Sequence, residues 1–337
     1  MTRRLEKSLN LRQPVWKRLI TMRRAGLFGM IVALGLLAGC QNQADVRSAS
    51  SQIGGSAEPA QVRSGPPVRF VLTAAFISEA GLGVYEKLLR YIEKKTGYPC
   101  ELLTGLSYEE ASRKLASGEA EVGFVCGLPY VLSQEQPNPP VRLMAAPIPA
   151  GPFYRKKPIY YSDIIVRADS PYQRVEDLKG CTWAYNDELS NSGYNLPRAY
   201  FIRNALHKGF LGKIIRTGSH EASIRAVATG QADAAAVDSL VLDYERLRAS
   251  EYALKVRVLK SLGPSGVVPV VASRNMPEDR FRTVQKVLLE MHQDPEGAAI
   301  LKEAWLRAFV PANDAMYDDI RAALRLARQA KCEGLQM

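Results

Sequence analysis

The sequence predicts an α/β protein of two lobes, each a mostly parallel sheet with helices on both faces, joined by two crossover strands. Three observations carry this expectation. Apolar strand-like runs alternate with amphipathic helical patterns along the body of the chain, which is the rhythm of βαβ units. A twenty-residue unit occurs twice, at 107–126 and at 219–238. Two extended stretches, YYSDIIV within 148–180 and VRVLKSLGPSGVVPVVASR at 256–274, read as strands carrying the chain from one lobe to the other and back. The expected division is 67–160 plus 264–337 for a discontinuous first lobe and 161–263 for the second.

The chain has 337 residues, 47% of them apolar and 23% charged, an ordinary balance for a globular protein with room for two lobes. Its formal charge of +11 suggests nucleic acid at first. Residues 1–39, however, hold eight Lys/Arg against Glu6, which is +7 and leaves +4 for the rest. A modestly basic body without a dense Lys/Arg run among aromatics gives no expectation of a nucleic-acid partner.

The first 39 residues read as an address. Arg23-Arg24 precede AGLFGMIVALGLLA and then Leu37-Ala38-Gly39-Cys40, the layout of a secretory signal. The apolar run is shorter than the roughly 20 residues a spanning helix needs. Met22-Arg23-Arg24 is the more usual start for such a segment, residues 1–21 being long for its basic part. Leu-Ala-Gly-Cys resembles the bacterial lipobox. The resemblance implies that Cys40 is acylated and anchors the mature chain to a membrane on the periplasmic side. Gln41 after it resembles the outer-membrane sorting pattern. Residues 40–66, small, polar and rich in Gly and Ser, read as a flexible tether.

In the body, VRFVLTAAF (68–76) reads as a strand and VYEKLLRYIEKKTG (84–97) as a helix stopped by Gly97. PCELLTG, SYEEASRKLASG and VGFVCG continue strand, helix, strand, and Ser107 with Glu110 forms a capping box. After the second crossing come three helical patterns, PEDRFRTVQKVLLEMHQ, PEGAAILKEAWLRAF and NDAMYDDIRAALRLARQAK. Besides Cys40 the chain holds Cys100, Cys126, Cys181 and Cys332. In an oxidising compartment these allow three pairings, a Cys181–Cys332 bridge among them. With His207, His220 and His292 the only histidines, no metal site is expected, and no cofactor.

The repeat locates a cleft. Residues 107–126 fall without a gap on 219–238, with seven of twenty positions identical. Both copies have a capped helix, a Gly stop, an acidic turn and an apolar strand. Tyr108 and His220 occupy the two helix starts, Cys126 and Asp238 the two strand ends. In open α/β sheets ligands sit beyond the carboxyl ends of the strands, so these four residues are candidate cleft residues. Tyr130 and Tyr161 are weaker ones.

Between strand TWAY (182–185) and the helical pattern LPRAYFIRNAL lies NDELSNSGYN. A helix start leaves N–H groups without partners and is electropositive. Gly193 permits close approach of a ligand, and Ser190 and Ser192 add hydroxyls. Two readings stand: a site for an oxyanion, or plain N-capping by Ser or Asn.

LKGCTWAYNDELSNSGYNLPRAYF resembles the segment of phosphate/phosphite/phosphonate-binding proteins that reads D-L-K-G, an apolar strand, then D-x-x-S-x-S-G-x-x-x-P. GSHEASIRAVATGQADAAAVDS resembles that family's Gly-(Ser)-His, alanine-rich helix and Gly-x-(Ala/Val)-Asp-(Ala/Val) turn. With YYSDIIVRADSP and FVCGLPYV the similarity runs from about residue 68 to residue 330. The family comprises substrate-binding proteins of ABC importers with the type II periplasmic binding fold. The resemblance implies that Ser190, Asn191, Ser192 and Gly193 grip anion oxygens, that His220 donates to one of them, and that Asp238 and Tyr108 line the cleft. Asn191 stands where phosphonate binders usually have Thr, and Cys126 where several have Tyr. The expected partners are a small oxyanion and an inner-membrane ABC permease, with the protein a monomer.

Two other function classes are open at this stage. A solute sensor docking on a membrane signalling protein has the same cleft. A hydrolase using Cys126 and His220 needs a third, orienting group, and the chain has no G-x-S-x-G, H-E-x-x-H or P-loop. The expectation is a binder, not an enzyme.

Overall fold

The computed structural model describes residues 65–73, 81–206, 208–331 and 334–335. The leader at 1–39, Cys40, the tether up to residue 64, His207 and Cys332 lie outside the described residues. Along the chain come β1 (Val68–Leu72), α1 (Leu82–Thr96), β2 (Cys100–Leu103), α2 (Tyr108–Ser117), β3 (Val122–Phe124), α3 (Gly127–Gln134), β4 (Val141–Pro149) and β5 (Ile159–Arg167). Then follow β6 (Thr182–Tyr185), α4 (Leu196–Arg203), β7 (Lys213–Arg216), α5 (His220–Ala228), β8 (Ala234–Asp238), α6 (Ser239–Leu247), α7 (Glu251–Leu254) and β9 (Val256–Gly266). The last elements are β10 (Val270–Ser273), α8 (Glu278–Glu290), α9 (Pro295–Glu303), β11 (Leu306–Val310) and α10 (Asp318–Gln329).

The strands form two sheets. One has six strands in the order β11-β4-β10-β3-β1-β2, the other five in the order β7-β6-β8-β5-β9. Each contains the same parallel trio, β2-β1-β3 in the first and β7-β6-β8 in the second. The βαβ rhythm predicts these trios, and the repeated unit supplies the third strand of each. The sheets are mixed rather than mostly parallel. β10 lies antiparallel between β3 and β4, and β5 lies antiparallel between β8 and β9. The antiparallel strands come from the crossings: the chain leaves the first sheet after β4 and inserts β5 into the second, then leaves the second after β9 and inserts β10 into the first. Each sheet thus receives its fourth strand from the other half.

Alternation along the strands fills four apolar layers. Phe70, Phe124 and Val270 face α1 and α8 through Tyr85, Leu88 and Val284. Val71 and Val271 face the opposite side, where Leu115 of α2, Val131 of α3 and Ile320 of α10 meet them. In the second sheet Ile164, Trp183 and Ala236 pack on Phe201 of α4. Ile165, Ala184 and Val237 pack on Ile224 and Val227 of α5 and Val241 of α6. Strands covered on both faces read as continuous apolar runs, as the sequence does here. Trp183 is fully buried and meets Phe201 edge-on with ring centroids 5.2 Å apart.

Helix ends follow local chemistry. Ser107 Oγ accepts from Glu110 N at 3.2 Å, and Glu110 Oε2 accepts from Ser107 N at 2.9 Å, closing the predicted box. At the equivalent start of α5, Ser219 Oγ accepts from Ala222 N at 3.1 Å, with no acid to reciprocate. Gly97 takes the left-handed conformation at φ 74° and ends α1.

One expected helix is shortened. PEGAAILKEAWLRAF forms α9 only to Glu303, and Leu306–Val310 is strand β11, paired with β4. Trp305 at φ 58° breaks the helix, and pairing to a sheet edge outweighs the helical pattern of the segment. Cys100, Cys126 and Cys181 are free thiols. Among the described residues no helix is long and apolar enough to cross a membrane.

Candidate functional site

The polar loop after β6 is built inward. Asp187 Oδ1 accepts from Leu189 N at 2.8 Å, and its carboxylate also pairs with Arg216. Ser190 then caps the turn, its Oγ accepting from Gly193 N at 3.0 Å. Asn191–Asn195 form a single π turn that runs into α4, where Pro197 sits in the first turn. Such turns recur at functional sites. The capping reading is therefore correct for Ser190, yet the loop does not face solvent. Ser190, Asn191 and Ser192 are fully buried.

The structure gathers the residues singled out by the sequence. His220, Asp238, Tyr108 and Cys126 are all buried, and they meet the loop from both sheets. Cys126, at the end of the β3 segment, caps α3, and its Sγ accepts from Asn191 N at 3.2 Å. Asn191 Nδ2 donates to Tyr160 OH at 2.9 Å and to Ser265 Oγ at 3.1 Å. His220 Nε2 lies 3.5 Å from Ser192 Oγ. Asp238 caps α6 by accepting from Leu240 N at 2.7 Å, while its own N–H donates to His220 Nδ1 at 3.3 Å. Tyr108 accepts from Asn186 Nδ2 at 3.2 Å. Tyr130 lies away from this network and donates to Asp314 Oδ1 at 2.7 Å. Tyr161 packs in the apolar core.

Five members of the network carry little signal in the sequence: Tyr160, Ser162, Asn186, Asn195 and Ser265. Ser162 Oγ donates to the Ser192 carbonyl at 2.6 Å and pairs in register with Asp238. A serine and an aspartate inside the apolar strand YYSDIIV were the available clue. Asn195 Nδ2 donates to Asn191 Oδ1 at 3.0 Å and to the Ile320 carbonyl at 3.3 Å, tying the loop to α10. Asn186 bridges the two sheets, and an asparagine in a polar loop ordinarily signals only a turn.

Burial disfavours the charged form of each titratable group in the cluster. Burial pushes the His220 imidazole down to about 3, so the ring is uncharged near neutral pH. Because Nδ1 accepts from Asp238 N–H, the proton sits on Nε2, which points at Ser192. Burial holds the Asp238 carboxyl well above the usual carboxylate range, with the neighbouring Asp163 adding to the effect. It pushes the Cys126 thiol up to about 11 and the Tyr108 phenol well up. Arg198 stacks on Tyr194 at 4.9 Å and reaches Asn195 Oδ1 at 3.5 Å. Among the described residues no cluster is arranged to hold a metal ion.

The His220 shift has a measurable consequence. Its folded value lies below the ordinary value of 6.5, so acid favours the unfolded chain. The contribution is complete above about pH 6.5 and is lost as pH falls toward 3. Asp238, shifted upward, acts in the opposite sense and loses its contribution as pH rises. The stability of wild type should therefore fall more steeply below pH 6.5 than that of His220→Gln, by about 3–5 kcal/mol over the range. Urea unfolding at stepped pH measures this, and parallel curves would refute it.

A chain that passes twice between two α/β sheets and buries a polar cluster at their junction has the architecture of a type II periplasmic binding protein. Solved structures align over most of its length. A binding protein component of a phosphonate ABC transporter from Pseudomonas aeruginosa superposes with a TM-score of 0.71, at 19% identity, over 80% of this chain and 88% of that one. PhnD1 from Prochlorococcus marinus, in complex with methylphosphonate, gives 0.67 at 16% identity over 78% and 98%. Among curated proteins, the phosphate-import protein PhnD of Mycolicibacterium smegmatis is 26% identical over 275 residues, 74% of this chain and 82% of that protein. The chain belongs to the family of periplasmic substrate-binding proteins of phosphonate ABC transporters, whose model matches residues 71–317.

Proposed function

We propose that this protein captures a small tetrahedral oxyanion of the phosphonate, phosphite or phosphate class between its two sheets and delivers it to an ABC permease. The observation that carries the reading is the meeting of Ser190, Ser192 and His220 from one sheet with Tyr108 and Cys126 from the other in a buried cluster of neutral groups. A desolvated anion is held well by fixed N–H and O–H donors, which are stronger toward charge than toward neutral acceptors. Closure of the two lobes about the crossings brings the donors of both sides onto the solute and excludes water. The relatives support this class: the Prochlorococcus marinus protein holds methylphosphonate, and the Mycolicibacterium smegmatis protein is a phosphate-import protein.

Titration calorimetry against phosphate, phosphite, methylphosphonate, aminoethylphosphonate and methanesulfonate tests the reading. Binding of at least one phosphorus oxyanion supports it. Failure of a folded sample to bind any of them would sink it. A hydrolase reading has less support. A nucleophilic cysteine works as thiolate, whereas burial holds the Cys126 thiol protonated and its sulfur accepts a backbone N–H.

The Leu-Ala-Gly-Cys motif supports a lipid anchor at Cys40 on the periplasmic face of the envelope. Cys40→Ser is expected to move the protein from the membrane pellet to the soluble fraction of cells. Equal partition of variant and wild type would remove the anchor from the proposal.

A further inference from the structure

Asn191 belongs to the residues that the family resemblance assigns to the anion, yet its side chain is engaged elsewhere. One Nδ2 hydrogen goes to Tyr160 OH at 2.9 Å and the other to Ser265 Oγ at 3.1 Å. Oδ1 accepts from Asn195 Nδ2 at 3.0 Å, and the backbone N–H goes to Cys126 Sγ at 3.2 Å. Every polar hydrogen of Asn191 is thereby used.

The surroundings fix the orientation of this amide. Asn195 Nδ2 also reaches the Ile320 carbonyl, which only accepts, and Asn195 Oδ1 lies 3.5 Å from Arg198 Nη2, which only donates. The nitrogen of Asn195 therefore faces Asn191, and Asn191 meets it with its oxygen.

The partners of Nδ2 stand at the pivot between the lobes. Tyr160 in β5 and Ser265 in β9 are paired in register, where the two crossings enter and leave the second sheet. Both are buried. Ser265 in turn hydrogen-bonds the Asp319 carboxyl, which also accepts from Gly266 N at 3.3 Å. Asp319 and Ile320 lie in the first turn of α10, and Ile320 packs on the first sheet. A ring results, from Ile320 through Asn195, Asn191 and Ser265 back to Asp319. It joins the loop of the second lobe, the crossing strands and a helix of the first lobe.

We propose that Asn191 is a positioning residue, which locks the anion loop onto the pivot and leaves the grip on the anion to its neighbours Ser190, Ser192 and His220. This rests on the reading that the loop holds an oxyanion. Rotation of one lobe on the other is taken up at the crossings. A loop fastened only to its own lobe keeps its shape throughout that movement. This loop is fastened to the crossing strands themselves, so its shape and the angle between the lobes are set together. Donors hold a solute well when supporting groups fix them to within about 0.5 Å, and Ser192, next to Asn191, takes its setting from the ring. Threonine, with one hydroxyl, cannot make the three side-chain bonds that asparagine makes here.

The experiment is titration calorimetry and stopped-flow fluorescence on the full chain with methylphosphonate, or with whichever anion of the panel above wild type binds tightest. The samples are wild type, Asn191→Ala, Ser265→Ala and the double variant. Ser265→Ala removes a single oxygen, whose hydrogen bonds go to Asn191 and Asp319. It is expected to weaken binding by about threefold or more, and Asn191→Ala by about tenfold or more. The double variant should bind within about twofold of Asn191→Ala, since its second change breaks a link already broken. The losses should show as faster dissociation, because the ring secures the closed complex. Ser265→Ala with wild-type affinity would overturn the lock, whether or not Asn191→Ala folds. Losses that multiply in the double variant would overturn it too, as would a loss confined to the association rate. If folded wild type binds no anion of the panel, the parent reading falls and the lock with it.

Discussion

Alanine at His220 is expected to weaken oxyanion binding by roughly tenfold to 150-fold. The imidazole is held from behind: Asp238 N–H occupies Nδ1, so the proton is fixed on Nε2 and directed toward Ser192. The ring is neutral, so what is lost is one well-aligned hydrogen bond to a charged group, about 1.5–3 kcal/mol. Ser190→Ala and Ser192→Ala should each cost about 1–3 kcal/mol of binding for the same reason. The substitution also leaves Asp238 N–H without its acceptor, so some stability is lost alongside. Calorimetric affinity and thermal midpoint, measured together, separate the two effects. If all three variants bind as wild type does, the pocket lies elsewhere in the molecule.

Alanine at Gly266 is expected to destabilise the fold by about 3 kcal/mol. Gly266 ends β9, and a Cβ there would lie 2.1 Å from the Met316 carbonyl oxygen and 3.1 Å from the Tyr317 ring. The obstacle is backbone, which cannot swing aside as a flexible side chain does. Gly266 N also donates to Asp319 Oδ1 at 3.3 Å, tying the crossing to the start of α10. Displacing Met316 therefore shifts α10. That helix packs on the first sheet through Ile320 and Leu324, and on α4 of the second lobe through Ala323. Urea denaturation should show a lower midpoint. A change within about 0.5 kcal/mol, the usual scatter of surface substitutions, would show that the turn yields more easily than its contacts imply.

Much of this architecture is legible in the residues. Strands buried on both faces announce themselves as unbroken apolar runs, and capped helices between them define the parallel trios. The 107–126 and 219–238 repeat points to Tyr108, Cys126, His220 and Asp238 because equivalent strand ends and helix starts meet in one place. The antiparallel insertions were less visible, since YYSDIIV looks the same in a parallel or an antiparallel setting. LRAFV in β11 hides inside a helical pattern, and only an available sheet edge decides its state. The partners of Asn191 escape the eye altogether: Tyr160 and Ser265 lie far from it in sequence, at the two crossings, and only the folded chain brings them within hydrogen-bond reach.

The exchange of strands between the sheets also governs when the molecule can assemble. Without β10 the six-stranded sheet has a gap between β3 and β4, and without β5 the other lacks its link between β8 and β9. A nascent chain emerging from the ribosome cannot fill the gap in its first sheet until residue 273 has been synthesised, nor add the edge strand β11 until residue 310. Contacts of such long sequence separation form slowly. Either half expressed alone would be left with raw edges, so the polypeptide commits to its native shape late and as a whole.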